Sequence, residues 1–576
     1  MSLSQLLSRA KPHLSGRITP VGPSVVMFFS LTDGRSRART LTAHGADFAT
    51  AWRTGSKLCQ AYALHQKLSV TWLRVDWVTQ VEQATWGDLA HRLTSTKRNY
   101  FRHGLSLDAD FKHAFLEPEI NATAMLYLGS DKSEAGLNTK NFTLHAQRRF
   151  GSQYSLDLST SEAVWLFTHE GAFFTADAAL SRLPRGSDDV VWVSGPRAIK
   201  TKWRDASSLN AGRRQLGALQ VDDVFRLVSS SAQYLAQQVQ VTGQFIYGHF
   251  PCFGRRIPTY NALRHASTIY SMLEGWELLQ QEPLLSAIRR ALGYLTRTLI
   301  RDYPQPNGSV QSYVVEANGE VKLGANAVSL LALVKYDQLT GDTQYRPLME
   351  RLALGIERMQ NPQTGQFVHV LNGGDLSLKD AYRIVYYDGE AAFGLMRLYG
   401  LTRDQRWLRI VEKAFEYFLQ ADYWQYRDHW LSYCVNELTL YKPEKRYFRF
   451  GVQNIVGLLD FVLTRETTYP TLMELSMAFK AMLTRIECDH PDMKELLHDV
   501  DVDKFHRALH HRAHYLLNGF FWPELAMFFS KPHTVVGSFF IRHHSFRVRI
   551  DDIQHYLSGY VAYWRMLNKN PQPITI

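Results

Sequence analysis

A short phrase repeated in the second half of this 576-residue chain constrains its fold more than any other feature. Leu-Thr-Gly-Asp-Thr-Gln-Tyr ends at Tyr345, Leu-Thr-Arg-Asp-Gln-Arg-Trp at Trp407 and Leu-Thr-Arg-Glu-Thr-Thr-Tyr at Tyr469. A degenerate copy, Leu-Leu-Gln-Gln-Glu-Pro-Leu, ends at Leu284, so the intervals are 61, 62 and 62 residues. That period is too long for the common solenoid units and fits two helices with two connections. An apolar, small-residue-rich segment precedes each phrase: Ala262 to Leu279, Asn326 to Leu339, Glu390 to Leu401 and Gln453 to Leu463. A one-sided amphipathic segment follows, as in Gln344 to Met359 or Gln405 to Leu419. The first kind of helix is apolar nearly all round and belongs inside; the second keeps one wet face and belongs outside. Between Val221 and Leu567 there is room for five to six such hairpins, enough for the inner helices to close into a ring.

The segments LGANAVSLLALVKYDQLTGDTQY, ending at Tyr345, and YYDGEAAFGLMRLYGLTRDQRW, ending at Trp407, resemble the α/α-toroid (six-hairpin) enzymes. The resemblance covers roughly the last 350 of the 576 residues. It implies a closed helical ring and an activity drawn from glycosidases, unsaturated-uronate hydrolases or N-acylglucosamine 2-epimerase-like isomerases. The same ring also serves lyases and non-enzymatic scaffolds, so the resemblance is specific for architecture rather than reaction.

Residues 1–185 have a different texture. Val25 to Leu31 and Leu68 to Val78 read as strands, with a helix from Ala46 to Gln66 between them; Ala122 to Leu128, Phe142 to Phe150 and Ala163 to Ala176 read as further strands. The expected fold class is therefore multidomain α+β. A small α+β domain occupies 1–185, a linker 186–217, and an all-α toroid 218–576. No phosphate loop, dinucleotide fingerprint or nucleophile elbow marks the first domain, so no chemistry is assigned to it. The leader, with Arg9, Lys11 and Arg17, reads as a solvated helix.

The net charge of +11 and pI near 9.3 come from dispersed lysines and arginines without a nucleic-acid motif. An acidic sugar or glycan is the expected partner, and nucleic acid is not. No apolar run reaches the ~20 residues that span a bilayer. Cys59, Cys252, Cys434 and Cys488 lie far apart, which argues against zinc or a disulfide framework and for a reducing, cytoplasmic setting. The sequons at Asn121, Asn141 and Asn307 read as coincidence.

The repeat serves as a ruler for chemistry. Counting back by one period from Asp388 reaches Asn326, then His265, each at the start of an inner helix. Helix N-termini gathered at one mouth favour anions. Arg264 and Glu390 flank the same position, and a buried Arg-His pair needs a carboxylate or an acidic ligand nearby. His265 is therefore expected at the cavity, within reach of Asp388, Glu390 or Asp552. Asp388 also reads as an N-cap, and Asn326 as structural. A second cluster, Arg542 to His555, contains His544, Arg547, Asp551 and Asp552 ahead of a last apolar helix that could close the ring. His506, His510 and His514 share a helix face but lack the glutamate of a zinc motif, so no metal is expected. Aromatics gather between Tyr382 and Trp430, including Tyr386, Tyr387 and Trp424, and suit sugar rings.

These readings make His265, Asp388, His544 and Asp552 the catalytic candidates. Arg264, Tyr260, Tyr387, Glu390, Arg547 and Trp424 are the substrate-binding candidates, without a cofactor. The expected function is a carbohydrate-active enzyme acting on a sugar or uronic acid of a cell-envelope glycan or its precursor. For hydrolysis, Asp388 would pair with Asp551, Asp552 or Glu390. For epimerisation or elimination, His265 and His544 would move protons beside Arg264 or Arg547. The alternative is a catalytically silent ring that binds a glycan or a protein.

Overall fold

The computed structural model describes residues 2–95, 101–126, 138–155, 159–175, 177–184, 190–194 and 214–569. Its first half is built on a sheet of seven strands: β1 (Val25–Thr32), β2 (Arg39–Gly45), β3 (Trp72–Thr85), β4 (Gly104–Ser106), β5 (Ala114–Phe115), β6 (Ala163–Thr175) and β7 (Val191–Val193). The order is β2-β1-β3-β6-β4-β5, with β7 also on β6, and every pairing is antiparallel. Every residue of β1 is buried, because both faces of the sheet are covered. Met27, Phe29 and Leu31 pack under helices α1 (Leu3–Leu14) and α2 (Phe48–His65), while Val26 and Phe28 share a core with the helical half. The N-terminal helix is thus not a solvated leader: Leu6, Leu7, Ala10 and Leu14 are fully or almost fully buried, and Ser2 and Gln5 close a capping box at its start.

Of the expected strands, one is a helix and another, Ala122 to Leu128, is not a strand where it is described. Phe142 to Phe150 lies in α5 (Thr139–Phe150), which follows α3 (Trp86–Ser95) and α4 (Glu117–Ala122). Asn138 caps α5 by accepting from the Asn141 N–H, and the buried pair Phe142 and Ala146 has helical spacing. Ala122 ends α4, and residues 127–128 lie outside the described residues. Most of the expected linker, 195–213, also lies outside them, and within it Val191–Val193 is the sheet strand β7.

The helical half is a closed ring. Outer helices α6 (Val221–Gln238), α8 (Glu282–Tyr294), α10 (Arg346–Arg358), α12 (Gln405–Gln420), α14 (Lys445–Gln453) and α17 (Val502–Tyr515) surround six inner ones. The inner helices are α7 (Ala262–Leu279), α9 (Leu323–Thr340), α11 (Tyr386–Thr402), α13 (His429–Leu438), α16 (Thr471–Cys488) and α19 (Ile550–Lys569). Each inner helix packs on the next, and α19 packs back on α7. The sequence pattern explains the sides. In α9 every residue from Leu323 to Asp337 is buried, whereas α12 buries one stripe through Trp407, Val411, Ala414 and Phe418.

The period does not hold throughout. Inner helices begin at 262, 323, 386, 429, 471 and 550, so the spacing falls from 61 and 63 residues to 43 and 42, then lengthens to 79. The phrase ending at Tyr469 therefore leads into an inner helix, not an outer one. Gln453 to Leu463 is no inner helix: it spans the end of α14 and most of the short α15 (Leu459–Thr464), which packs on α17.

The sheet is locked to the ring by buried charge. Glu524, fully buried in the one-turn α18 (Pro523–Ala526), receives two hydrogen bonds from Arg214, at 2.9 and 2.8 Å. Its backbone carbonyl accepts from Arg74 of β3 at 2.6 Å, and Arg74 is itself paired with Asp76. Glu524→Ala leaves the buried Arg214 charge without its carboxylate and is expected to cost about 3–5 kcal/mol in urea denaturation. A loss under about 1 kcal/mol would mean that the pair contributes little.

Candidate functional site

The N-terminal ends of five inner helices, α7, α11, α13, α16 and α19, line one cavity of about 280 Å³. Its floor includes His429 and His555, with Glu474 buried between them behind the lining. His555 Nδ1–H donates to Glu474 Oε2 at 2.7 Å, while its Nε2 accepts from the Gln554 amide at 3.1 Å. Tyr433 O–H donates to the other carboxylate oxygen at 3.3 Å. His429 Nδ1 lies 3.3 Å from Asp428, the residue that caps α13, and its Nε2 stands 3.9 Å from Glu474 with no hydrogen-bond partner. The two imidazoles flank the carboxylate, ring centres 5.3 Å apart and planes at 76°. Burial pushes Glu474 up to about 7, with His429 and Tyr433 opposing, and burial with the Arg264 charge pushes His555 down to about 4.

The wall beside this floor is cationic. Arg264 lies 3.4 Å from Asp551, and Arg549 pairs with Asp551 at 3.0 Å and with Asp552 through two hydrogen bonds, at 3.1 and 3.0 Å. Burial works against the Arg264 charge, but Asp551 and Glu390 outweigh it and hold its pKa above the usual value. The strand segment Val548–Arg549 pairs with Gly248–Phe250, and this pairing fixes Arg549. A Cβ at Gly248 would meet the Val548 carbonyl at 2.2 Å, so the pairing requires glycine there. Tyr386, Trp430, Phe461 and Tyr469 add aromatic faces.

Arg264 and Asp552 are on the cavity as expected; His265 is not. It is fully buried behind the wall, where Nε2–H donates to the Ala291 carbonyl at 2.9 Å and Nδ1 accepts from Tyr260 O–H at 2.6 Å. Burial pushes it down to about 4. Tyr260 belongs to this same structural lock and not to a binding surface. Asp388 is also off the cavity. Its Oδ2 accepts from His369 Nε2–H at 3.0 Å, and it is the third residue of α11 rather than the cap, which is Val385. Tyr387 turns to His369, Trp424 donates to Asp422 at 3.0 Å, and His544 packs on His543; none of the three lines the cavity. Arg547 reaches Asp552 from outside the lining at 3.6 Å. Glu390 is buried beneath Arg264, its Oε2 without a hydrogen-bond partner, and burial pushes it up to about 8 against the pull of Arg264. It fits because residue 324 is glycine: a Cβ there would lie 2.1 Å from Glu390 Oε2.

His429 and Glu474 are absent from the sequence assignments, and His555 appears there only as the end of a charged stretch. Each left a signal. Glu474 is the single acid in the first turn of its inner helix, and His429 directly follows a capping aspartate. His429, Glu474 and His555 each offer a ligand atom within 4.8 Å of the others, a donor set that suits a first-row divalent cation. Among the described residues the histidines of α17 form no such group; His510 Nδ1 meets Tyr563 at 2.7 Å, and His514 Nε2 meets the Gly217 carbonyl at 3.1 Å.

No family profile matches the chain, and no curated protein matches it in sequence. Among solved structures it is similar to a cellobiose 2-epimerase from Bacillus thermoamylovorans, at 10% identity and TM-score 0.45, over 60% of this chain and 99% of that one. A D-mannose isomerase gives 9% identity and TM-score 0.45, over 60% and 97%. An α-1,6-mannanase from a Salegentibacter species gives 12% identity and TM-score 0.40, over 59% and 98%.

His265→Ala removes a buried ring and two hydrogen bonds remote from the cavity. It is expected to lower stability by about 3 kcal/mol while leaving ligand affinity at the cavity unchanged, as read by urea denaturation and sugar titration.

Proposed function

We propose that the ring is a sugar isomerase or 2-epimerase that moves a proton at the carbon next to the carbonyl of an open-chain sugar. The observation that carries this reading is the pair His429 and His555 at the floor of a cavity walled by Arg264 and Arg549, with Glu474 buried between them. His429 Nε2, held with its lone pair free, takes the C2 proton. The electrons of the broken C–H bond form a C1=C2 double bond, and the charge passes to the former carbonyl oxygen, beside Arg264. Passage of the O2 proton to O1, with return of the proton from His429 to C1, gives the ketose; protonation of C2 on its other face by water, with His429 giving up its proton to solvent, gives the epimer. Glu474 accepts from His555, and its carboxylate beside His429 stabilises the imidazolium that forms when His429 takes the proton. Tyr386, Trp430 and Tyr469 offer stacking faces for the sugar.

Hydrolysis fits less well. It needs two carboxyls facing each other across the scissile bond. Asp388 is tied to His369, Glu390 is buried below Arg264, and Asp551 and Asp552 are engaged by arginines.

Glu474→Gln is expected to lower kcat by about 10²–10⁴-fold with folding retained. The assay is deuterium wash-in at C2 of aldoses, followed by proton NMR over a panel of neutral and acidic sugars. Because burial raises Glu474 to about 7 and the reading requires its carboxylate, kcat/KM is expected to rise with pH through about 7, and the variant to lose that limb. An unchanged pH profile in Glu474→Gln would count against this role of its carboxylate. Activity is expected to survive EDTA; abolition by chelator, restored by a divalent cation, would instead make the three residues a metal site.

A further inference from the structure

A second cavity, of about 330 Å³, lies where the N-terminal sheet meets the ring and is distinct from the cavity at the helix N-termini. β2 and the loop before it contribute Arg37 and Arg39, α5 contributes His145, Arg148 and Arg149, and the ring side contributes Phe528 and Ser530. Four guanidinium groups therefore line one space. Among the described lining residues a single carboxylate, Glu119, opposes them. That carboxylate is already engaged: one oxygen accepts from the Leu116 backbone N–H at 3.0 Å, and the other stands 3.8 Å from Arg149.

The guanidinium groups are held in place but not satisfied. Arg39 donates to the backbone carbonyls of Arg148 and Arg149 at 3.1 and 2.8 Å, which fixes its fork at the end of α5. Arg37 donates to the Cys252 carbonyl at 3.4 Å, which fixes it against the ring. Arg37 Nη1, Arg39 Nε and Arg149 Nε nevertheless remain buried without a hydrogen-bond partner, and the Arg149 side chain is only 9% exposed. Burying donors of charged groups unpaired is costly, and arginine forks match the oxygens of phosphate. The remaining walls are apolar, with Phe115, Met125 and Phe528 leaving room for an organic portion beyond the anionic one.

We propose that this cavity binds a diphosphate group, carried by a small organic molecule, through Arg37, Arg148 and Arg149. His145 beside them stays uncharged: burial, with Arg37 and Arg148, pushes it down to about 4, so the site's positive charge comes from arginine and persists across the physiological range. The site is independent of the chemistry proposed for the ring cavity.

Isothermal titration of the full chain at low ionic strength, with inorganic pyrophosphate and with ADP, tests the assignment. One equivalent of each is expected to bind, with citrate, a carboxylate of similar charge, at least tenfold weaker. Arg148→Gln, at an exposed position, is expected to weaken pyrophosphate at least tenfold with an unchanged melting temperature. Arg37→Gln is likewise expected to weaken pyrophosphate at least tenfold and serves as an independent second variant. Failure of both probes to bind, equal binding of citrate, or full binding by both variants would overturn the proposal.

Discussion

The packing of α19 against α7 is the contact on which the site depends. It turns six successive pairs of outer and inner helices into a closed wall, and it is specified by small, directed interactions. Ser271 Oγ of α7 donates to the Gln554 carbonyl at 2.8 Å, and Ser558 Oγ of α19 donates to Glu274 at 2.6 Å. Gly275 of α7 faces Leu557 of α19. With that seam made, Asp551, Asp552 and His555 reach the same space as Arg264, and the buried charges of each side find opposite charges on the other. Without it, Arg264 would lie in an open trough, with much weaker Coulombic pairing in water.

Charge burial recurs as the way parts of this molecule are joined. The sheet is fastened to the ring through Glu524 with Arg214 and Arg74; the ring is fastened to itself through Arg264, Arg549 and their aspartates. Such pairs add little net stability over apolar packing, but a mismatched arrangement leaves a charge unpaired and is strongly disfavoured. They therefore select one arrangement of the surrounding helices, and at the cavity they hold the arginines in its wall.

The helices of the ring were legible in sequence where they are apolar all round, as in α9, and where a one-sided stripe marks an outer partner, as in α12. The repeat phrase found the first three inner helices and misplaced the fourth, because the connections shorten after α11 and a spacing rule cannot sense a contracted loop. The site was legible at the level of position but not of direction. Successive helix residues point about 100° apart. Arg264 therefore faces the cavity while His265 enters the wall, and Tyr386 faces it while Tyr387 turns to His369. The ruler that located Asp388 and His265 could not tell these orientations apart. Glu474 and His429 sit in the shortened units, outside the register that the ruler followed. In the first half, α5 was mistaken for a strand because its aromatic and basic residues mask a helical burial period of four.

The seam between α7 and α19 has a kinetic side. The two helices that meet there are separated by nearly the whole ring in sequence, so their contact carries the highest loop-closure entropy cost of any inner pair. Until it forms, α7 presents an apolar flank with nothing against it, and the chain carries an open helical array liable to pair with another copy. Productive folding of this ring is thus a competition between closing on itself and joining a neighbour, and dilution during refolding favours the closed form.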